Sequence, residues 1–142
     1  MKKILVVYWS GTGNTEMMAK QVAKGAEDAG AEVSCRVVSG AAPDMVKEAA
    51  AVAFGCPAMG AEVLEENEME PFVAALSPAE LGGKPTGLFG SYDWGDGQWM
   101  RDWAERIRGL GAALDGEGII TQLAPSAEAL GQCYELGKRL AG

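Results

Sequence analysis

Five short apolar runs constrain this chain more than any other feature: Ile4–Tyr8, Glu32–Val38, Ala51–Gly55, Thr86–Gly90 and Gly118–Gln122. Most are continuous rather than alternating, the pattern of strands covered on both faces in a parallel sheet. The stretches between them place apolar residues at helical spacing. Asn14–Gly30 sets Met17, Met18, Val22 and Ala26 toward one face, with Gly30 as its stop. Gln98–Leu110 carries Trp99, Trp103, Ile107 and Leu110, and Ser126–Leu140 carries Leu130, Tyr134 and Leu136. A shorter helix is expected over Pro71–Leu76, starting as early as Val63. Strands alternate with helices and no linker-like segment intervenes, which predicts a single α/β domain over residues 1–142. Right-handed crossovers put helices on both faces, giving a three-layer α/β/α sandwich. A five-stranded parallel sheet in the order 2-1-3-4-5 fits better than the six-stranded dinucleotide-binding order.

In such a sheet ligands bind beyond the carboxyl ends of the strands, so the chemistry is expected after Tyr8, after Gly55 and after Gly90. Whole mechanisms are absent from the start. The chain has no histidine, which removes a Ser-His-Asp triad, a Cys-His pair and a His-ligated zinc. Cys35, Cys56 and Cys133 have no paired spacing and read as reduced thiols of a cytoplasmic protein, each a small buried hydrophobe. The net charge of −8 speaks against nucleic acid and anionic membranes as partners. No apolar stretch reaches the roughly 20 residues of a membrane span.

The first of the three loops is Trp9-Ser10-Gly11-Thr12-Gly13-Asn14-Thr15. Its glycines let the backbone approach a ligand, and the N–H groups opening the following helix point outward. The hydroxyls of Ser10, Thr12 and Thr15 and the Asn14 amide add neutral donors, which with the helix dipole can hold a phosphate monoester. No lysine follows, so this is not a P-loop, and Glu16 breaks the G-x-G-x-x-G spacing. The second loop, Gly55-Cys56-Pro57-Ala58-Met59-Gly60-Ala61-Glu62, offers Met59 as an apolar wall for a planar ring. In the third, Gly90-Ser91-Tyr92-Asp93-Trp94-Gly95-Asp96-Gly97, an aromatic stands among glycines and aspartates and needs a stacking partner. Trp99 and Trp103 instead read as packing.

Taken in order, the three loops resemble those of flavodoxins, specifically the short-chain type of anaerobic bacteria, and the likeness runs the length of the chain. The resemblance implies flavin mononucleotide (FMN) as cofactor, with its phosphate in the first loop, Met59 on the inner ring face and Trp94 on the outer. It implies that the Gly60-Ala61 peptide contacts flavin N5, that Glu62 reaches N3, and that Ser91, Tyr92, Asp93 and Gly95 complete the site. The implied function is low-potential one-electron transfer between semiquinone and hydroquinone states, with no catalytic residue, no metal and no substrate turnover. Asp93 stands where close relatives have glycine, Ala61 where many have a small polar residue, and Ala58 replaces a hydroxyl residue. Thr121-Gln122-Leu123-Ala124-Pro125 lacks the Asn-Glu of one branch of the family.

Two tuning features follow physically. As a four-residue turn, Met59–Glu62 needs φ > 0 at Ala61 with the carbonyl turned away from the ring, or φ > 0 at Gly60 with it turned toward the ring. The left-handed region costs a non-glycine residue roughly 1 kcal/mol, so the form with φ > 0 at Gly60 is favoured. Glu62, Glu65, Glu66, Glu68 and Glu70, with Asp93 and Asp96, form an acidic rim that disfavours an anionic ring and steers basic-surfaced redox partners, reductases or oxidoreductases, to a monomer. The rival reading is a small NAD(P)H-dependent reductase on the same fold.

Overall fold

The computed structural model describes residues 1–142. Strand β1 (Lys3–Tyr8) lies inside the sheet, paired on both sides, and its unbroken apolar run follows from that position. Leu5 and Val7 enter one core while Ile4, Val6 and Tyr8 enter the other. Because both faces are covered, alternation in position does not become alternation in polarity.

The chain continues through α1 (Asn14–Asp28), β2 (Glu32–Val37), a 3-10 turn at Val38–Gly40, α2 (Pro43–Glu48) and β3 (Ala51–Gly55). It then forms α3 (Met69–Ala74), α4 (Pro78–Leu81), β4 (Pro85–Tyr92), α5 (Gln98–Gly109), β5 (Ala113–Leu114), β6 (Ile119–Gln122) and α6 (Ala127–Ala141). All pairings are parallel, in the order β2-β1-β3-β4-β5, and β6 also pairs with β4. Helices α1 and α6 cover one face with Met18, Val22, Cys133 and Leu136. Helices α2 to α5 cover the other with Val46, Phe72, Leu81 and Trp103. The expected three-layer sandwich and strand order are therefore present.

Several details differ from the sequence expectation. The fifth strand is broken in two: β5 pairs at Thr86↔Leu114 and β6 at Phe89↔Ile119, separated by the turn-forming Asp115-Gly116-Glu117-Gly118. Strand β4 runs two residues further than expected because Ser91 and Tyr92 pair with Thr121 and Gln122. Helix α3 begins at Met69 rather than near Val63, since the Glu65 carboxylate caps it from outside. Two short helices that the apolar spacing did not reveal, α2 and α4, both open on proline, and α4 has a Ser77–Glu80 capping box. Met17 is about half exposed rather than on the buried face of α1. Cys35 is exposed, because β2 is an edge strand on which no residue is fully buried.

Parallel register aligns the carboxyl ends. Tyr8 is opposite both Val37 and Gly55, Gly55 is opposite Phe89, and Cys56 N–H continues the ladder to the Phe89 carbonyl. The loops that follow β1, β3 and β4 therefore open at one edge of the sheet, on either side of the strand-order switch.

Candidate functional site

The first loop runs from the end of β1 into α1. Gly13 is the residue before the helix and has φ 95°, a left-handed conformation that turns the following amides outward. The Ser10 hydroxyl accepts from Gly13 N–H at 3.1 Å and Glu16 N–H at 3.3 Å, folding the loop around its own side chain. Its hydroxyl proton is left free to be donated outward. The amides of Ser10, Gly11, Thr12, Asn14 and Thr15 donate to no acceptor within the protein. A helix N-terminus with unpaired amides is a site for an anion, and the dipole of a 15-residue helix adds to it. No lysine or arginine lines this hollow of about 240 Å³.

The loop's floor is fixed from two sides. The buried Thr15 and Ser91 hydroxyls lie 3.3 Å apart, joining α1 to the end of β4. Beneath Gly11, the Trp9 indole packs so closely that an added Cβ would come within 3.0 Å of it. The indole N–H donates to Glu68 at 3.2 Å. Glu68 in turn is ordered by Glu65, whose buried carboxylate accepts from the amides of Asn67, Glu68 and Met69 at 2.7 to 2.9 Å. Burial alone would raise the Glu65 pKa, but these three backbone donors outweigh it and hold it below the usual range.

A second hollow of about 220 Å³ adjoins the first, sharing Ala58, Met59 and Asp93, and adds Gly60, Glu62 and Trp94. Met59 is half-buried, while Trp94 is 62% exposed, a large apolar surface that the fold itself does not cover. The loop between them is not the four-residue turn expected. Met59 and Val63 exchange two backbone hydrogen bonds, at 2.9 and 3.0 Å, around Gly60-Ala61-Glu62. The longer loop arises because Val63 rather than Glu62 closes it. Gly60 has φ 42° and Glu62 φ 57°, while Ala61 stays out of the left-handed region.

One oxygen of Glu62 accepts from Gln98 N–H at 3.0 Å and so caps α5. Its carboxyl carbon would lie 2.5 Å from a Cβ added at Gly95, which ties the second loop to the third. Behind them, Trp99 donates to the Cys56 carbonyl at 3.1 Å. Trp99 and Trp103 are fully buried, as the sequence predicts. The Cys56 thiol, pushed up to about 12 by burial, is a packing residue rather than a nucleophile.

The acidic rim is smaller than its sequence implies. Arg106 clamps Glu70 through two hydrogen bonds of 2.8 and 2.7 Å, which holds the Glu70 pKa down. Arg101 pairs with Asp96 at 2.9 Å. Glu65 and Glu68 line neither hollow; Glu62 and Asp93 are the carboxylates that do. A larger groove of about 310 Å³, between β2 and α2, includes Lys3 and Glu32 at the opposite end of the sheet, away from the three loops.

The fold and this pair of hollows define a binding protein of the doubly wound α/β class, with an anion seat opening onto an apolar slot. Comparison with known proteins names the class more closely. The flavodoxin family model matches residues 6–137. The chain is 47% identical over 136 residues to a flavodoxin of Clostridium beijerinckii, covering 96% of this chain and 97% of that one. It is 43% identical to a flavodoxin of Megasphaera elsdenii, covering 96% of each. The solution structure of two-electron reduced Megasphaera elsdenii flavodoxin superposes with a TM-score of 0.85 at 40% identity, over 97% of this chain and 98% of that one. This chain belongs to the flavodoxin family, whose members are FMN-binding electron carriers rather than enzymes and work with redox partner proteins. The residues present fit that cofactor: unpaired amides and hydroxyls for a phosphate monoester, and Met59 and Trp94 beside a slot for a planar ring. No helix is long and apolar enough to cross a membrane.

Proposed function

We propose that residues 1–142 form a single flavodoxin domain that works as a monomer in the cytoplasm, carrying electrons one at a time at low potential between basic-surfaced reductases and oxidoreductases. Bound FMN supplies the chemistry, because a flavin accepts and releases electrons singly. The chain's own groups supply the rest. Ser10, Gly11, Thr12, Gly13, Asn14 and Thr15 hold the phosphate through N–H and hydroxyl donors. Trp9 braces that loop from below. Ala58, Met59, Gly60, Ala61 and Glu62 line the inner side of the ring, and Ser91, Tyr92, Asp93, Trp94 and Gly95 the outer side and its polar edge.

One observation carries the reading: the unpaired amides at the start of α1 open directly onto a slot bordered by Met59 and Trp94, with no cation in either hollow. A cation beside the ring would stabilise negative charge on it. Glu62 and Asp93 do the reverse and so lower the potential at which the ring takes up its second electron. The protein needs neither lysine nor a metal at the phosphate, which is an anchor and undergoes no reaction.

The test is the absorption spectrum of the purified, FMN-loaded protein during stepwise reduction. Two separate one-electron steps, yellow passing through blue, support the carrier. Steady oxidation of NAD(P)H by the protein alone would overturn it in favour of a reductase.

A further inference from the structure

The first loop presents its free amides without bonding them. Ser10, Gly11, Thr12, Asn14 and Thr15 offer N–H groups that nothing in the protein accepts, so their convergence depends on the supports around them. Two of those supports are hydroxyls: Ser10 gathers the amides of Gly13 and Glu16, and Thr15 meets Ser91. The third is the Trp9 indole. Its backbone is fastened to the sheet, since Trp9 N–H donates to the Gly55 carbonyl at 3.0 Å. Its ring lies beyond the strand and can turn about its side-chain bonds unless something holds it. The six-membered edge of that ring supports Gly11, where an added Cβ would stand 3.0 Å from Cη2 and 3.2 Å from Cζ3. The ring's one polar atom, Nε1, donates to Glu68 Oε1 at 3.2 Å.

Glu68 is anchored at both ends of its own peptide. Its N–H donates to Glu65 Oε1 at 2.7 Å, and its carbonyl accepts from Phe72 N–H at 3.2 Å, where α3 begins. Its side chain lines neither hollow. A carboxylate close to an anion seat repels the anion, so any favourable effect of Glu68 on binding passes through the indole.

We infer that Glu68 is a positioning residue for the phosphate: by holding the Trp9 indole beneath Gly11 it keeps the loop amides aimed at one point, and so favours a flavin that carries a phosphate over one that does not. The inference rests on the reading that the phosphate of FMN fills the first loop. It adds that the seat is prepared from α3, a helix that does not touch it, through a single side-chain hydrogen bond.

The experiment compares Glu68→Gln, which keeps an acceptor and loses the charge, with Glu68→Ala, which loses both. Their ratio reads the hydrogen bond with the field effect cancelled. Fluorescence titration of the apoprotein should give Glu68→Ala an FMN affinity about five-fold below that of Glu68→Gln, the factor of one neutral hydrogen bond. Riboflavin affinity should differ between the two by less than about two-fold. In a Trp9→Phe background, which has no indole N–H, the FMN ratio should fall to about one. The proton resonance of the Trp9 indole, identified by its loss in Trp9→Phe, should move further in Glu68→Ala than in Glu68→Gln.

Equal FMN affinities in the Ala and Gln variants overturn the positioning role. So does an equal loss for riboflavin, which would mark a general loosening of α3, and so does a ratio that survives in Trp9→Phe. A parent protein that binds riboflavin as tightly as FMN instead strikes the phosphate reading, and the indole resonance then still decides whether Glu68 holds Trp9.

Discussion

Substitution of Gly60 by alanine separates backbone strain from every other effect at the flavin loop. Gly60 has φ 42°, and nothing lies within 4 Å of an added Cβ, so Gly60→Ala meets no steric clash. Its cost is the left-handed conformation alone, about 1 kcal/mol. If the loop with φ > 0 at Gly60 is the one selected when the cofactor takes its first electron, that cost falls on the reduced side only. For one electron, about 1 kcal/mol is roughly 40 mV, and the sign is fixed: destabilising the reduced side makes the first potential more negative.

Ala61→Gly tests the same equilibrium from the other end. Ala61 is not in the left-handed region here, so glycine relieves no strain in this form of the loop. It eases an alternative form with φ > 0 at residue 61; if that form is the one selected with the oxidised cofactor, the oxidised side gains. The first potential should again fall by roughly 40 mV, now by stabilising the oxidised side. Spectroelectrochemical titration reads both shifts directly. Should Gly60→Ala lower the urea midpoint while leaving the potential unmoved, the loop keeps one conformation in both states and the reasoning is refuted.

Ser10→Ala removes the acceptor of two loop amides and one outward donor, and should weaken FMN binding by about ten-fold. Fluorescence titration should show riboflavin, which lacks the phosphate, affected much less; an equal loss for both would contradict the phosphate assignment. Glu65→Gln should destabilise the apoprotein by about 2 kcal/mol at neutral pH through weaker capping of α3. The Glu65 pKa is depressed in the folded state, so its contribution is present above the ordinary value near 4.5 and lost as pH falls through the folded value. Urea midpoints of parent and variant should therefore converge below about pH 4.5, and a gap constant from pH 7 to 4 would contradict the assignment. Gly137→Ala would place a Cβ 2.0 Å from the Val22 carbonyl in the contact between α6 and α1. It should cost about 2–3 kcal/mol of stability while leaving the spectrum of bound FMN unchanged.

What the sequence made legible was what local chemistry decides. The double burial of β1 wrote itself as an unbroken apolar run, and the unpaired amides after Ser10 followed from glycines and hydroxyls between a strand and a helix. The 59–63 loop was half legible. Gly60 carries the positive φ expected of a glycine, but closure by Val63 depends on pairing that no residue type announces. Long-range partners were not legible at all. Glu70 finds Arg106 across 36 residues, and Trp9 finds Glu68 across 59, so nothing near either carboxylate showed that it would be occupied. Leu123 illustrates the opposite failure: its residue type argues against the conformation it adopts, and only the bond to Tyr92 fixes it.

The field at the ring slot depends on where each carboxylate stands and what it pairs with. A rim of seven acids suggests a diffuse field in which each charge contributes equally. In the folded protein Glu70 and Asp96 are paired with arginines, so much of their field is cancelled at a distance. Glu65 and Glu68 keep their charge, since their donors are neutral N–H groups, but they line neither hollow. The field at the ring slot is then set mainly by Glu62 and Asp93, the two carboxylates that line it, because screening by water and salt falls hardest on the remoter charges. Glu62 is itself held by the α5 amide of Gln98, so its position is tied to the same loop that carries Trp94. Redox tuning and the outer wall of the site therefore share one support. A change in the 93–97 loop should move the potential and the outer wall together, while a change to Glu66, exposed and without a hydrogen-bond or ion-pair partner in the fold, should act chiefly on encounter rates.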